Sequence, residues 1–311
     1  MKYNIKLFLS VFILFTLLVS CKQNKKKDNL VKFTSDSAKF AVDESFQSIV
    51  EQEAYIFKAT YYKTHPVILY MPENNAVNLL LEDSLRIIII SRDLNAEEYK
   101  VLKSRNLIPI VDRFAIDAVA IIVNAAAKDT TIKVSEIKKM LNGYTKQDKD
   151  IVFDNPNSGL VRYLKEFSGN QDFKQKNIYA LKSNKEVIKY VSEHANAIGI
   201  IDFSWLNDPD ADYAGAVAKV KILSVCDDKN ETLSKKYFSP SQTTLALKQY
   251  PLTRNLYILN CTGKFGLGMQ FAEFMKSDRG QRIILKSGLL PDNMPGREIN
   301  IVRRKINFNN N

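Results

Sequence analysis

The chain has 311 residues, 45% apolar and 25% charged, the balance of an ordinary globular protein with room for one large domain or two lobes. Its formal net charge is +11, but the basic residues are scattered and form no nucleic-acid-binding signature, so the charge suits an anionic ligand without arguing for nucleic acid. Two His and three Cys with no ligand spacing exclude a Cys/His metal centre, and no cofactor is expected.

Residues 1–20 form a secretory signal. Lys2 and Lys6 are its charged start, and the apolar run at 7–19 is shorter than the ~20 residues that span a bilayer. Its end, Leu18-Val19-Ser20-Cys21, resembles the lipobox of bacterial lipoproteins, which implies that Cys21 carries the lipid and becomes the mature N-terminus. Residues 21–36 are polar and too poor in apolar side chains to fold, as in a flexible tether. Cys226 and Cys261 remain, either bridged or as two buried thiols.

Beyond the tether, strands and helices alternate. Strands are expected at 39–43, 66–71, 86–91 and 119–124; continuous apolar, β-branched runs such as the four consecutive Ile at 87–90 suit strands buried on both faces of a largely parallel sheet. Residues 44–62 place Phe46, Ile49, Val50, Ala54, Ile56, Phe57 and Ala59 near a 3.6-residue period, so a helix follows the first strand. Shorter helices are expected at 75–81 and at 95–105, with Asn95 as N-cap. The second half continues with a helix at 134–141 closed by Asn142-Gly143, a strand at 151–153 and helices at 158–167 and 184–196. Strands at 197–203, 219–225 and 256–259 follow, then one long helix at 268–287. The order indicates an α/β fold.

Four segments in sequence resemble the phosphate-type periplasmic solute-binding proteins. Residues 112–124 (DRFAIDAVAIIVN) look like that family's strand crossing from the first lobe to the second, and 197–201 (AIGII) like its AIGY strand. Residues 250–257 (YPLTRNLY) are similar to its return crossover, and the stretch from Phe271 to Gln281 to its terminal helix. The resemblance implies a two-lobed fold, each lobe a mostly parallel sheet flanked by helices, joined by two hinge crossovers. Lobe 1 would hold 37–119 and 251–311, lobe 2 would hold 120–250, and a ligand would sit between them at the C-terminal ends of strands.

An oxyanion in such a cleft needs donors, and helix N-termini supply N–H groups together with a favourable dipole. Four helix starts follow strands. At the first, Ser45 and Phe46 match the family's small-residue-then-Phe pattern, although Ser45 or Asp43 also serves as a plain N-cap. The second, around Asn74, lacks the family's Gly/Ser-rich turn; Glu73 there either repels a dianion or merely caps the helix. At the third, Ser91-Arg92 resembles an SSRxL turn, with Arg92 free to hold an oxyanion bidentately or to pair with Asp93 or a surface carboxylate. The fourth, Asn157-Ser158-Gly159, resembles an SGT start with Leu160 in place of Thr. Asp154 stands where many phosphate binders carry Arg, and at an effective dielectric near 20 one charge at ~4 Å is worth about 4 kcal/mol. Arg162, one turn after Ser158, either compensates or neutralises Asp154.

The expected function is capture of a small oxyanion, phosphate first, by a monomeric, membrane-anchored lipoprotein of the cell envelope that serves an ABC transporter permease. The alternative is the same fold recruited to another small ligand or an envelope partner without a transport role, which Glu73, Asp154 and Leu160 favour. No nucleophile elbow, Walker loop, zinc signature or Cys/His pair suggests an enzyme.

Overall fold

The computed structural model describes residues 37–144 and 148–296. The signal segment, Cys21 and the tether lie outside the described residues. Among the described residues no helix is long and apolar enough to cross a membrane.

The first half runs β1 (Ser37–Asp43), α1 (Gln47–Thr60), β2 (His65–Met71), α2 (Glu73–Leu81), β3 (Ile87–Ile90), α3 (Ala96–Ser104) and the long β4 (Ile110–Asn124). Then come β5 (Thr131–Lys133), α4 (Val134–Leu141), β6 (Asp150–Phe153), α5 (Gly159–Ser168), β7 (Ile178–Ala180), α6 (Asn184–Glu193) and β8 (Ala197–Asp202). The chain finishes with α7 (Ala214–Val217), β9 (Val220–Ile222), β10 (Ser224–Cys226), α8 (Gln242–Ala246), β11 (Thr253–Asn260), α9 (Leu267–Lys276), α10 (Asp278–Lys286) and β12 (Leu290–Pro291).

The main sheet has the order β2-β1-β3-β11-β4-β8-β6-β7, with β12 and β9 added alongside β4. β4 belongs to both halves. Residues 110–118 pair antiparallel with β11, and residues 119–123 pair antiparallel with β8. Away from this junction the pairing is parallel: β1 with β2 and β3, and β6 with β7 and β8. The result is the two-lobed α/β fold that the resemblance implies, with antiparallel pairing where the long strands pass between the halves.

β3 shows why an unbroken apolar run is needed. Its side chains alternate across the sheet. Ile88 and Ile90 join Ala76, Val77, Leu80 and Leu102 from α2 and α3, while Ile87 and Ile89 join the cluster holding Phe40, Phe57 and Phe271. On that second face Phe57 meets Phe271 and Phe274 edge-on at 5.1 and 5.3 Å. Both layers must be apolar, so all four Ile are buried.

Several boundaries differ from the sequence reading. The strand at 66–71 is an edge strand, not one buried on both faces: it pairs only with β1, and Val67 and Leu69 are exposed. The helix expected from residue 44 opens as a short 3-10 turn, Glu44–Phe46, capped by Asp43. The helix at 184–196 stops at Glu193, where His194 turns extended. The strand at 219–225 divides, β9 pairing with β4 and β10 with β5. The single helix at 268–287 is two helices. Ser277 adopts an extended conformation and its Oγ accepts from Gly280 N at 3.4 Å, ending one helix and capping the next. Gly280 permits the close turn, since a Cβ there would lie 2.3 Å from Phe274 O. Cys226 and Cys261 are free, buried thiols.

Candidate functional site

The C-terminal ends of β1, β3, β6 and β8 and the start of α2 bring polar side chains to one buried place, as open α/β sheets do. At the end of β1, Asp43 Oδ1 accepts from Ser45 N at 3.1 Å, which shapes the 3-10 turn and buries Ser45 and Phe46. At the start of α5, Ser158 is the N-cap; its Oγ accepts from Val161 N at 3.2 Å and donates to Asp154 Oδ1 at 2.6 Å. The two halves meet directly here. Gly159 N donates to Asp43 Oδ2 at 3.0 Å, Ser45 Oγ donates to Asp154 Oδ2 at 3.1 Å, and Trp205 Nε1 donates to Ser45 O at 2.7 Å.

Glu73, the first residue of α2, points into this place and is fully buried. Its Oε2 accepts from Ser91 N at 3.0 Å and Ser91 Oγ at 2.7 Å, and its Oε1 accepts from Arg162 Nε. Arg162 also donates to Ser91 Oγ at 2.9 Å and to Glu166 Oε2 at 2.9 Å. Arg92 forms a two-pronged pair with Glu98, both bonds 2.7 Å, and its Nε lies 3.4 Å from Glu73 Oε1. Glu98 is held in turn by the α3 cap, its Oε2 accepting from Asn95 N at 2.8 Å.

Of the residues expected at a ligand, the structure gathers Ser45, Phe46, Ser91, Arg92, Ser158, Gly159 and Arg162. Asn74 and Asn157 are exposed, and among the described residues neither side chain bonds to the cluster. Glu73 does not act as a plain cap: Pro72 holds the N-cap position, and the Glu73 carboxylate bonds to Ser91 and Arg162 instead. Arg162 pairs with Glu73 rather than Asp154, and Arg92 takes Glu98 rather than Asp93 as its carboxylate partner.

Sequence reasoning missed a second layer. Arg254 of β11 donates from Nη2 to Asp117 Oδ2 of β4 at 2.8 Å and to Asp202 Oδ1 at the end of β8, with its guanidinium 5.2 Å from the centre of the Phe46 ring. Asn184 Nδ2 bridges Asp202 Oδ2 at 3.2 Å and Asp154 Oδ2 at 3.4 Å. A polar chain therefore runs from the shared strands to Ser45 and Ser158. Its signal in the sequence is a charge inside an apolar strand: Asp117 between Ile116 and Ala118, and Arg254 in β11.

Five buried carboxyl groups, Asp43, Glu73, Asp117, Asp154 and Asp202, face three arginines, Arg92, Arg162 and Arg254. Burial pushes the Asp43 carboxyl up to about 8, and Glu73 and Asp154 beside it add to the rise. Burial also raises Asp154 to about 6, against the hydrogen bonds of Ser158 and Ser45. Burial would raise Glu73 too, but the Arg162 guanidinium and the Ser91 bonds outweigh it and hold Glu73 below the usual carboxylate range. Arg162 and Ser91 thus favour the ionised form of Glu73, whereas burial favours the protonated form of Asp43. Among the described residues no group of three or more His, Cys, Asp or Glu is arranged to hold a metal ion.

Residues 31–279 match the model of the PBP superfamily domain. The phosphate-binding protein PstS of Borreliella burgdorferi is 26% identical over 306 residues, covering 92% of this chain and 98% of the relative. A structure from Clostridium perfringens, assigned as a phosphate ABC transporter substrate-binding protein and holding phosphate, superposes with a TM-score of 0.69 at 20% identity, covering 83% of this chain and 100% of that one. An ABC-type phosphate transport receptor from Vibrio cholerae gives 0.62 at 18% identity, covering 82% and 100%. With the model matched over most of its length, and with two sheet halves sharing a strand above a buried polar junction, the chain belongs to the PBP superfamily.

Proposed function

We propose that the protein is a solute-binding protein that captures a small oxyanion, phosphate first, between its two lobes and delivers it to an ABC transporter permease. The observation that carries this reading is the convergence of the Ser91 and Gly159 N–H groups, the Ser45 and Ser158 hydroxyls, and Arg162 at the ends of strands from both halves. These donors already hold carboxylate oxygens, and an oxyanion presents the same kind of acceptor. The relative PstS is by name a phosphate-binding protein, which supports phosphate as the first ligand to test.

In this reading the lobes are 37–119 with 251–311, and 120–250, and the exchange of β11 for β8 along β4 supports a hinge near residue 119. Lipid attachment at Cys21 would keep the binding lobes at the cell envelope on a short tether. A binding role without catalysis fits a junction whose serine hydroxyls serve as structural donors to Asp154.

A second reading is favoured by one observation, the excess of buried carboxyl groups over arginines. An acidic seat opposes a free dianion, so the fold would serve a different small ligand or an envelope partner. Calorimetric titration with phosphate, sulfate and molybdate separates the two. A ligand at a hundred times its Kd stabilises by about 2.7 kcal/mol, visible as a melting shift. Binding of an oxyanion that weakens in Ser158→Ala and Arg162→Ala supports capture, whereas no heat and no shift with any of the three supports the second reading.

A further inference from the structure

We infer that Glu73 is the resident occupant of the oxyanion seat: its carboxylate fills the place of the ligand and clasps the two sheet halves together, so an incoming oxyanion must displace it. The inference rests on the proposed oxyanion reading for its consequence, but the clasp itself is a matter of the chain's own contacts.

Glu73 begins α2 in the first half, and Arg162 lies on α5 in the second. Glu73 Oε1 takes the Arg162 Nε bond across that gap, while Oε2 takes both Ser91 donors on its own side. Arg162 returns across the gap to Ser91 Oγ. A bidentate carboxylate between an arginine and a backbone N–H at a strand end makes the contacts an oxyanion would make. The crowding at Gly159 shows how full the seat is. A Cβ there would meet Asp43 Oδ2 at 2.4 Å, Glu73 Oε2 at 2.6 Å and Ser91 Oγ at 2.6 Å. Three oxygens from the first half press against the start of α5 where only a glycine leaves room. An oxyanion and the Glu73 carboxylate cannot share these donors.

The charge balance points the same way. Arg162 has two carboxylate partners, Glu73 and the exposed Glu166. Arg92, paired with Glu98, also lies 3.4 Å from the same Glu73 oxygen, Oε1, that Arg162 holds. Of these carboxylates only Glu73 is wholly buried, and a buried charge that loses its partner is costly, so Glu73 stays in the seat until another anion takes over Arg162.

Hydrogen exchange read by mass spectrometry on the full chain tests the clasp without any ligand. Glu73→Ala and the isosteric Glu73→Gln should each speed exchange of the peptide containing Gly159 at least tenfold, because the cross-half Gly159–Asp43 bond opens, with the β3 and β8 core peptides unchanged. Glu166→Gln, which removes only the exposed partner of Arg162, should leave Gly159 protected. Protection at Gly159 equal to wild type in Glu73→Gln overturns the clasp, even if Glu73→Ala fails to fold. Inorganic phosphate then separates clasp from function. A Kd at least tenfold lower in Glu73→Ala than in wild type supports displacement. Faster Gly159 exchange with phosphate binding to neither protein upholds the clasp and defeats the oxyanion reading. Equal phosphate affinity with unchanged Gly159 protection upholds the reading and defeats the clasp.

Discussion

The carboxyl groups of this chain obey burial before they obey charge. Glu53 on α1 is fully buried and neither of its oxygens finds a hydrogen bond; burial alone raises it to about 9. With its folded pKa far above the unfolded one, Glu53 weakens the fold progressively as pH climbs from about 4.5 to about 9. Asp43, raised to about 8, and Asp154, raised to about 6, act with the same sign. The melting temperature is therefore expected to fall between pH 5 and pH 9. Glu53→Gln, which removes the titration, should flatten that fall and add about 1–3 kcal/mol at neutral pH, as read from urea unfolding at pH 5, 7 and 9. Equal slopes in variant and wild type would show that Glu53 does not titrate in this window. Arg254 presents the opposite case. Arg254→Met strands Asp117 and Asp202 as buried carboxyls, and a loss of about 3–5 kcal/mol is expected in the same measurement. Glu53, Asp117, Asp202 and Arg254 were not found from the sequence as part of a site. A lone acidic or basic residue reads by default as solvent-facing, and the partners of Arg254 lie 137 and 52 positions away.

At the scale of elements much more was legible, because periodicity and capping are local. The N-cap at Asn95 and the helix start at Ser158 stand where their residue types placed them, and α4 spans Val134–Leu141 as its apolar spacing requires. The capping box of α3 also links to the site, since Glu98 serves the helix start and Arg92 together. Asn95→Ala should cost about 1 kcal/mol in thermal unfolding. It should also loosen Arg92, which fluorescence or calorimetry with an anion would register. Gly159→Ala tests how tightly α5 meets the first half. A methyl group 2.4 Å from Asp43 Oδ2 forces the halves apart, so a loss above about 2 kcal/mol is expected, well beyond a surface substitution. A change within ~0.5 kcal/mol would mean that the junction yields easily. Breaks such as Ser277 were not legible: Ser in mid-helix is common enough, and only the close packing of Gly280 on the preceding turn requires the bend.

The whole molecule follows from one long strand. β4 starts beside β11 and ends beside β8, and the chain returns beside it through Leu252 into β11, so two segments join the halves, and each half turns its strand ends toward the other. The order of segments made this architecture readable, whereas the contents of the junction depended on contacts between residues as far apart as Asp43 and Gly159. The family resemblance therefore points to the place of the proposed seat more directly than to its chemistry: carboxylates at 73 and 154 stand where the resemblance implies a small-residue turn and an Arg. Hinge motion about β4 is the expected response when a ligand takes Arg162 from Glu73.

This junction is proposed to receive an oxyanion. Isothermal calorimetry of the purified protein with inorganic phosphate tests it most directly, with Arg162→Ala as the paired variant. Saturable one-to-one binding that weakens at least tenfold in Arg162→Ala is the expected result. Absence of heat with phosphate, and equally with sulfate and molybdate, would contradict it.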